Sequence, residues 1–191
     1  MGLSLRKQRL RLTWVLAPLY LFLANPSPPL LVAGLVLCTP GLALRAFAAG
    51  TVHKDQSLAV SGPYAHVRHP LYLGSFLIGF GLVVAGGRWV FLPLFLGVFL
   101  WAYGRTVVEE ERRLQLRFGE PYRRYQADVP AFLPRLRPYR LDVPDDAGRL
   151  QGASAPPGFR LWLYGRNKEW ATAVGLVVGF GTLWLKVVLL G

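Results

Sequence analysis

Apolar positions in this chain fall in long, nearly uninterrupted runs, separated by short breaks rich in proline, glycine or charge. Runs of this length read as fully apolar helices, not as the half-buried stripes of a soluble domain. The first, Leu12 to Ala24, is stopped by Asn25-Pro26-Ser27-Pro28-Pro29, and apolar sequence resumes from Leu30 to Phe47. Leu71 to Gly87 is parted from the next run, beginning at Trp89, only by Gly86-Gly87-Arg88. That run continues helically beyond Tyr103, with Glu110, Leu114 and Phe118 on one stripe. Gly119 and Pro121 then act as stop and restart for a short helix. The pattern predicts helices at about 12–24, 30–47, 71–87, 89–118 and 121–128 in a core of residues 1–140, a linker and interfacial segment over 141–169, and a further membrane helix over 170–191. The fold class expected is an all-α integral membrane protein with about five transmembrane helices. Leu12 to Ala24 falls short of the ~20 residues that usually span a bilayer and the runs lie near the lower length limit, so arginines such as Arg45 are expected to snorkel toward headgroups.

Composition supports the membrane and adds a direction. The chain is 53% hydrophobic yet carries a net charge of +12. Arg6, Lys7, Arg9 and Arg11, then Lys54 and Arg68, then the basic stretch from Arg112 to Lys168 all fall on one side of a five-span layout. The other side holds Arg88 and Lys186. The positive-inside rule then puts the N-terminus and all the polar loops in the cytoplasm, and the first apolar run is expected to be a retained helix, not a cleaved signal. Basic residues beside apolar runs point to anionic lipid headgroups as partners and away from nucleic acid. One cysteine, Cys38, and three histidines build neither a disulfide framework nor a metal site at recognised spacing.

Polar chemistry collects at two places. In "GPYAHVRHPLYLG", residues 62–74, Pro70 pushes His69 toward extended backbone and can open the following helix. Arg68 and His69 therefore flank a helix start, where free amides and the dipole favour anionic or hydrogen-bond-accepting groups. Headgroup anchoring alone would account for these residues equally well. Glu109, Glu110 and Glu111 lie at the end of another membrane helix, where acidic groups are costly unless solvated or paired. A solvated face is expected for Glu109 and Glu111. Glu110 instead faces the same interface as the histidine motif.

Together, RHP-x-Y-x-G, the glutamate pair and FG-x-x-Y-x-x-Y-x-x-x-VP, spread over roughly residues 40–138, closely resemble the isoprenylcysteine carboxyl methyltransferases and the related phospholipid methyltransferases. The resemblance implies a membrane methyltransferase using S-adenosylmethionine without a soluble dinucleotide-type fold; the chain has no G-x-G-x-x-G turn. It implies a cofactor pocket of Gln56, Ser57, Leu58, Ala59, Tyr64, His69, Pro70, Leu71, Tyr72 and Glu110. It also implies an acceptor-orienting arginine one turn before that glutamate. Here Thr106 holds the position and Arg105 stands beside it, so Arg105 is the candidate. The acceptor expected is amphiphilic and enters from the bilayer, with carboxylate O-methylation favoured and amine N-methylation open. His66 and His53 are expected at the surface. Two other readings compete. A sterol-type reductase using NADPH carries a similar motif, but Leu71 and Ser75 replace its Asn and acidic residue. A non-catalytic lipid-binding scaffold would need neither Glu110 nor its spacing to Phe118-Gly119.

Overall fold

The computed structural model describes residues 15–51, 58–139, 150–151, 159–167 and 169–190. Helix α1 is described over residues 15–23, and α2 spans Pro28–Thr51. A two-residue strand β1 (Leu58–Ala59) and a 3-10 turn (Gly62–Ala65) lead to α3 (Pro70–Ala85) and α4 (Phe91–Phe118). Then come α5 (Glu120–Asp128), β2 (Leu150–Gln151), α6 (Leu161–Arg166) and α7 (Trp170–Leu190). The all-α expectation holds: the β content among the described residues is one short parallel pairing, Leu58 with Leu150 and Ala59 with Gln151. Helices α2, α4 and α7 are long and apolar enough to cross a membrane, whereas α3 is equally apolar but has 16 residues. Of the five crossings expected, three therefore have full length among the described residues. Apolar side chains such as Val36, Val177 and Leu185 are exposed on these helices, as a lipid-facing surface requires.

Two kinds of contact fix the bundle. The first is a seam of small residues between α2 and α3. A Cβ at Gly34 would stand 2.6 Å from the Gly81 carbonyl, and one at Gly41 would stand 2.7 Å from the Gly74 carbonyl. Between them the Cys38 thiol donates to the Ile78 carbonyl at 3.4 Å. The backbones approach closely because no side chain keeps them apart, which suits association in lipid, where apolar burial drives little.

The second contact is polar. Lys186 on α7 donates to the carbonyls of Leu21, Phe22 and Ala24 at 3.1, 2.6 and 2.7 Å, capping the end of α1. The Gly86-Gly87 turn closes beside it, where Asn25 N–H donates to the Gly86 carbonyl at 2.8 Å and Gly87 takes a φ of +66°. Ala24, Leu31, Val83, Ala85, Phe91 and Leu183 pack into a core at this end. A separate core of Leu58, Val60, Tyr122, Tyr125 and Val129 lies at the opposite end, under the polar motif.

Candidate functional site

Pro70 is the first residue of α3, as its missing N–H and fixed φ allow, and the His69 carbonyl accepts from Tyr72 N–H and Leu73 N–H at 3.1 Å each. The loop before it is held from the far side of the sequence. Arg68 N–H donates to the Pro130 carbonyl (2.9 Å), Arg135 N–H to the His66 carbonyl (2.9 Å), and Tyr139 N–H to the Ala65 carbonyl (2.8 Å). His66 Nδ1 lies 2.8 Å from the Arg135 carbonyl oxygen, so it carries the proton. Tyr125 Oη donates to the Tyr64 carbonyl at 2.7 Å. The motif loop is therefore a fixed platform.

The C-terminal part of α4 brings its carboxylates to this platform. Tyr72 Oη donates to Glu110 Oε2 at 2.6 Å, a charge-assisted bond. Glu111 Oε1 lies 3.0 Å from both His69 Nε2 and Arg68 Nη1, and its other oxygen accepts from Gln126 Nε2 at 3.2 Å. Buried His69 stacks its ring on Tyr72 at 5.5 Å between centroids, and Tyr72 meets Tyr103 at 5.1 Å. From Tyr103 the aromatic surface runs through Phe99 at 4.4 Å to Phe76 and Phe132, down the side where α3 faces α4. Two carboxylates and two tyrosine faces suit a cation, while Arg68 suits an anion: its Nε is buried without a hydrogen-bond partner among the described residues.

The tyrosines around the platform remain neutral. Burial pushes the Tyr122 phenol up to about 12, with Glu111 adding to the rise and Arg68 opposing it. Burial also raises Tyr64, with the nearby Glu110 charge contributing, and raises Tyr125.

The structure brings His69, Pro70, Leu71, Tyr72 and Glu110 together, with Tyr64 in the loop that leads to them. Leu58 and Ala59 lie in β1, where Leu58 packs into the core with Tyr122 and Tyr125. Gln56, Ser57 and His53 lie outside the described residues. Arg105 is not brought in. It is exposed on α4, and five residues from Glu110 turns it about 140° around the helix. Thr106, nearer that face, spends its hydroxyl on the Ala102 carbonyl at 2.7 Å.

Three other expectations change. Glu111 is not a solvated helix-end acid but the partner of His69, because α5 folds back and presents Gln126 while the motif loop presents Arg68. His66 is half-buried and bonded to the backbone. Arg45 does not snorkel; it turns inward to Glu169, with Nη2 to Oε2 at 2.7 Å. A lone arginine and a lone glutamate beside apolar helices were the available signal for that pair, since each is costly in a membrane without the other.

Comparison with known proteins bears on the same region. Residues 43–121 match the family model described as phospholipid methyltransferase. The protein-S-isoprenylcysteine O-methyltransferase of Schizosaccharomyces pombe is 35% identical over 85 residues, covering 44% of this chain and 36% of that protein. The cobalt-zinc-cadmium resistance protein CzcN of Cupriavidus metallidurans is 32% identical over 128 residues, covering 67% of this chain and 55% of that protein. The chain thus spans about a third to about half the length of these curated relatives. No solved structure matches it.

Proposed function

We propose that this chain, isoprenylcysteine carboxyl methyltransferase-like across a phospholipid methyltransferase domain at residues 43–121, is an integral membrane methyltransferase that uses S-adenosylmethionine and acts on an amphiphilic, lipid-like acceptor. The observation that carries the reading is the pairing of Tyr72 with Glu110 and of His69 with Glu111 at the end of a membrane helix. The donor set fits the cofactor. Glu110 with the Tyr72 and Tyr103 faces would hold its cationic groups, and the uncommitted Nε of Arg68 would hold its carboxylate.

When bound, S-adenosylmethionine supplies a methyl group on a sulfonium, open to in-line displacement. The chain's own contribution is geometry. The motif loop fixes His69 and Tyr72, α4 fixes Glu110, and the aromatic side of α3 and α4 keeps water from the acceptor. His69 acts in binding, since Glu111 occupies its Nε2. A carboxylate acceptor needs no base, and the name of the S. pombe relative supports O-methylation. The basic loops support placing this end in the cytoplasm, where a soluble cofactor arrives while the acceptor comes laterally from the bilayer.

Calorimetry with the detergent-solubilised protein tests the cofactor. S-adenosylmethionine binds the wild type, and His69→Ala and Glu110→Ala each weaken it about tenfold or more while the fold persists. Binding of NADPH instead, or unchanged affinity in both variants, overturns the reading. Labelled methyl donor incubated with membrane lipid then reports the acceptor: alkali releases the label as methanol from an ester but not from an amine.

A further inference from the structure

Glu169 lies beyond the matched domain, at the head of α7, and is 7% exposed. It grips one edge of the Arg45 guanidinium, with Nε 3.0 Å from Oε2 and Nη2 2.9 and 2.7 Å from Oε1 and Oε2. A guanidinium is a rigid planar fork, so fixing one edge aims the other. That other edge, Nη1, donates to the Leu71 carbonyl at 3.2 Å and to the Ser75 hydroxyl. Leu71 stands between Pro70 and Tyr72 in the first turn of α3, and the Arg45 stem lies where a Cβ of Gly74 would be.

The glutamate is itself anchored. Asn167 Nδ2 donates to the Ala49 carbonyl at 2.8 Å, Arg160 N–H donates to the Gly50 carbonyl at 3.0 Å, and Thr172 N–H donates to the Glu169 carbonyl at 3.0 Å. Arg160 and Asn167 thereby hold the segment against the end of α2, and the Glu169 carboxylate reaches Arg45 from there. A buried ion pair adds little net stability, so its consequence lies in the arrangement it selects. Without Glu169, Arg45 is a cation on a flexible stem close to the interface, free to turn out toward headgroups and release the first turn of α3.

We propose that Glu169 is a positioning residue for the methyl-donor site, acting through Arg45 on the turn that carries His69 and Tyr72; this rests on the methyltransferase reading above. The helix appended after the matched domain is on this account a working part of the site.

Hydrogen–deuterium exchange in detergent, with no ligand, gives one readout. Glu169→Gln speeds exchange in the 68–76 segment about tenfold and leaves 104–118 unchanged. Binding gives the other: Glu169→Gln weakens S-adenosylmethionine about tenfold. The apolar pair Arg45→Met/Glu169→Met does the same with a melting temperature near the wild-type value, because both charges leave together. Unchanged exchange and affinity in Glu169→Gln, with wild-type binding intact, overturn the role of Glu169, as does wild-type affinity in the apolar pair. Absence of S-adenosylmethionine binding in the wild type overturns the methyltransferase reading instead, and the exchange result then still decides whether Glu169 holds the turn.

Discussion

Gly74→Ala tests how tightly the motif is set against its neighbour. The added Cβ would stand 2.5 Å from Arg45 Cγ and 2.7 Å from the Gly41 carbonyl oxygen. Ordinary carbon–oxygen contacts begin near ~3.3 Å, so α2 and α3 must part by roughly 0.6 Å, or Arg45 must leave. Arg45 cannot leave cheaply, because Glu169 and Ser75 hold its head. Overpacking of this kind costs about 1–3 kcal/mol. Gly104→Ala is the matched control: nothing lies within 4 Å of its Cβ position, and replacing a mid-helix glycine stabilises by about 0.5–1 kcal/mol. The two alanine variants should therefore differ by about 1.5–4 kcal/mol, read by equilibrium unfolding with increasing SDS in mixed micelles. Only Gly74→Ala should also weaken S-adenosylmethionine. A Gly74→Ala protein as stable as Gly104→Ala would refute the close seam and the reasoning built on it.

Arg105→Ala should change the KM for the methyl acceptor less than about twofold, since the side chain is exposed and turned away from Glu110; a tenfold rise would restore it to acceptor orientation. Tyr122 gives a pH prediction. Its phenol keeps its proton to about 12 in the folded protein and to about 10 when unfolded, so its contribution is whole below pH 10 and is lost as pH rises through 12. Wild-type protein should lose more stability between pH 10 and 12 than Tyr122→Phe, and parallel alkaline unfolding curves for the two would contradict the assignment.

Elements whose causes are local are legible in the sequence. Pro70 opens α3 and Gly119, at φ +61°, ends α4, because the missing N–H of one and the missing side chain of the other act within a turn. The family resemblance implies one pocket for Tyr72 and Glu110, and the structure adds the hydrogen bond between them. What was not legible depends on distant chain. Glu111 looked solvated because α4 alone gives it no partner; α5 and the motif loop supply three. Arg45 looked like a headgroup anchor because its carboxylate lies 124 residues further on. The close approach of α2 at Gly74 is set by Gly41 and Arg45, about thirty residues away in sequence, and is not legible from α3 alone.

Lys186 ties α7 to α1. An ammonium on an otherwise apolar helix resists burial in lipid until something accepts its protons, and the three carbonyls that accept them belong to α1 and the residue after it. Those carbonyls are in turn helix-end groups that α1 itself leaves without intrahelical partners. Each supplies what the other lacks. The helix that delivers Glu169 is thus tied at one end to Arg45 on α2 and at the other to the end of α1, so a change that unseats α1 should reach the Glu169 carboxylate through α7.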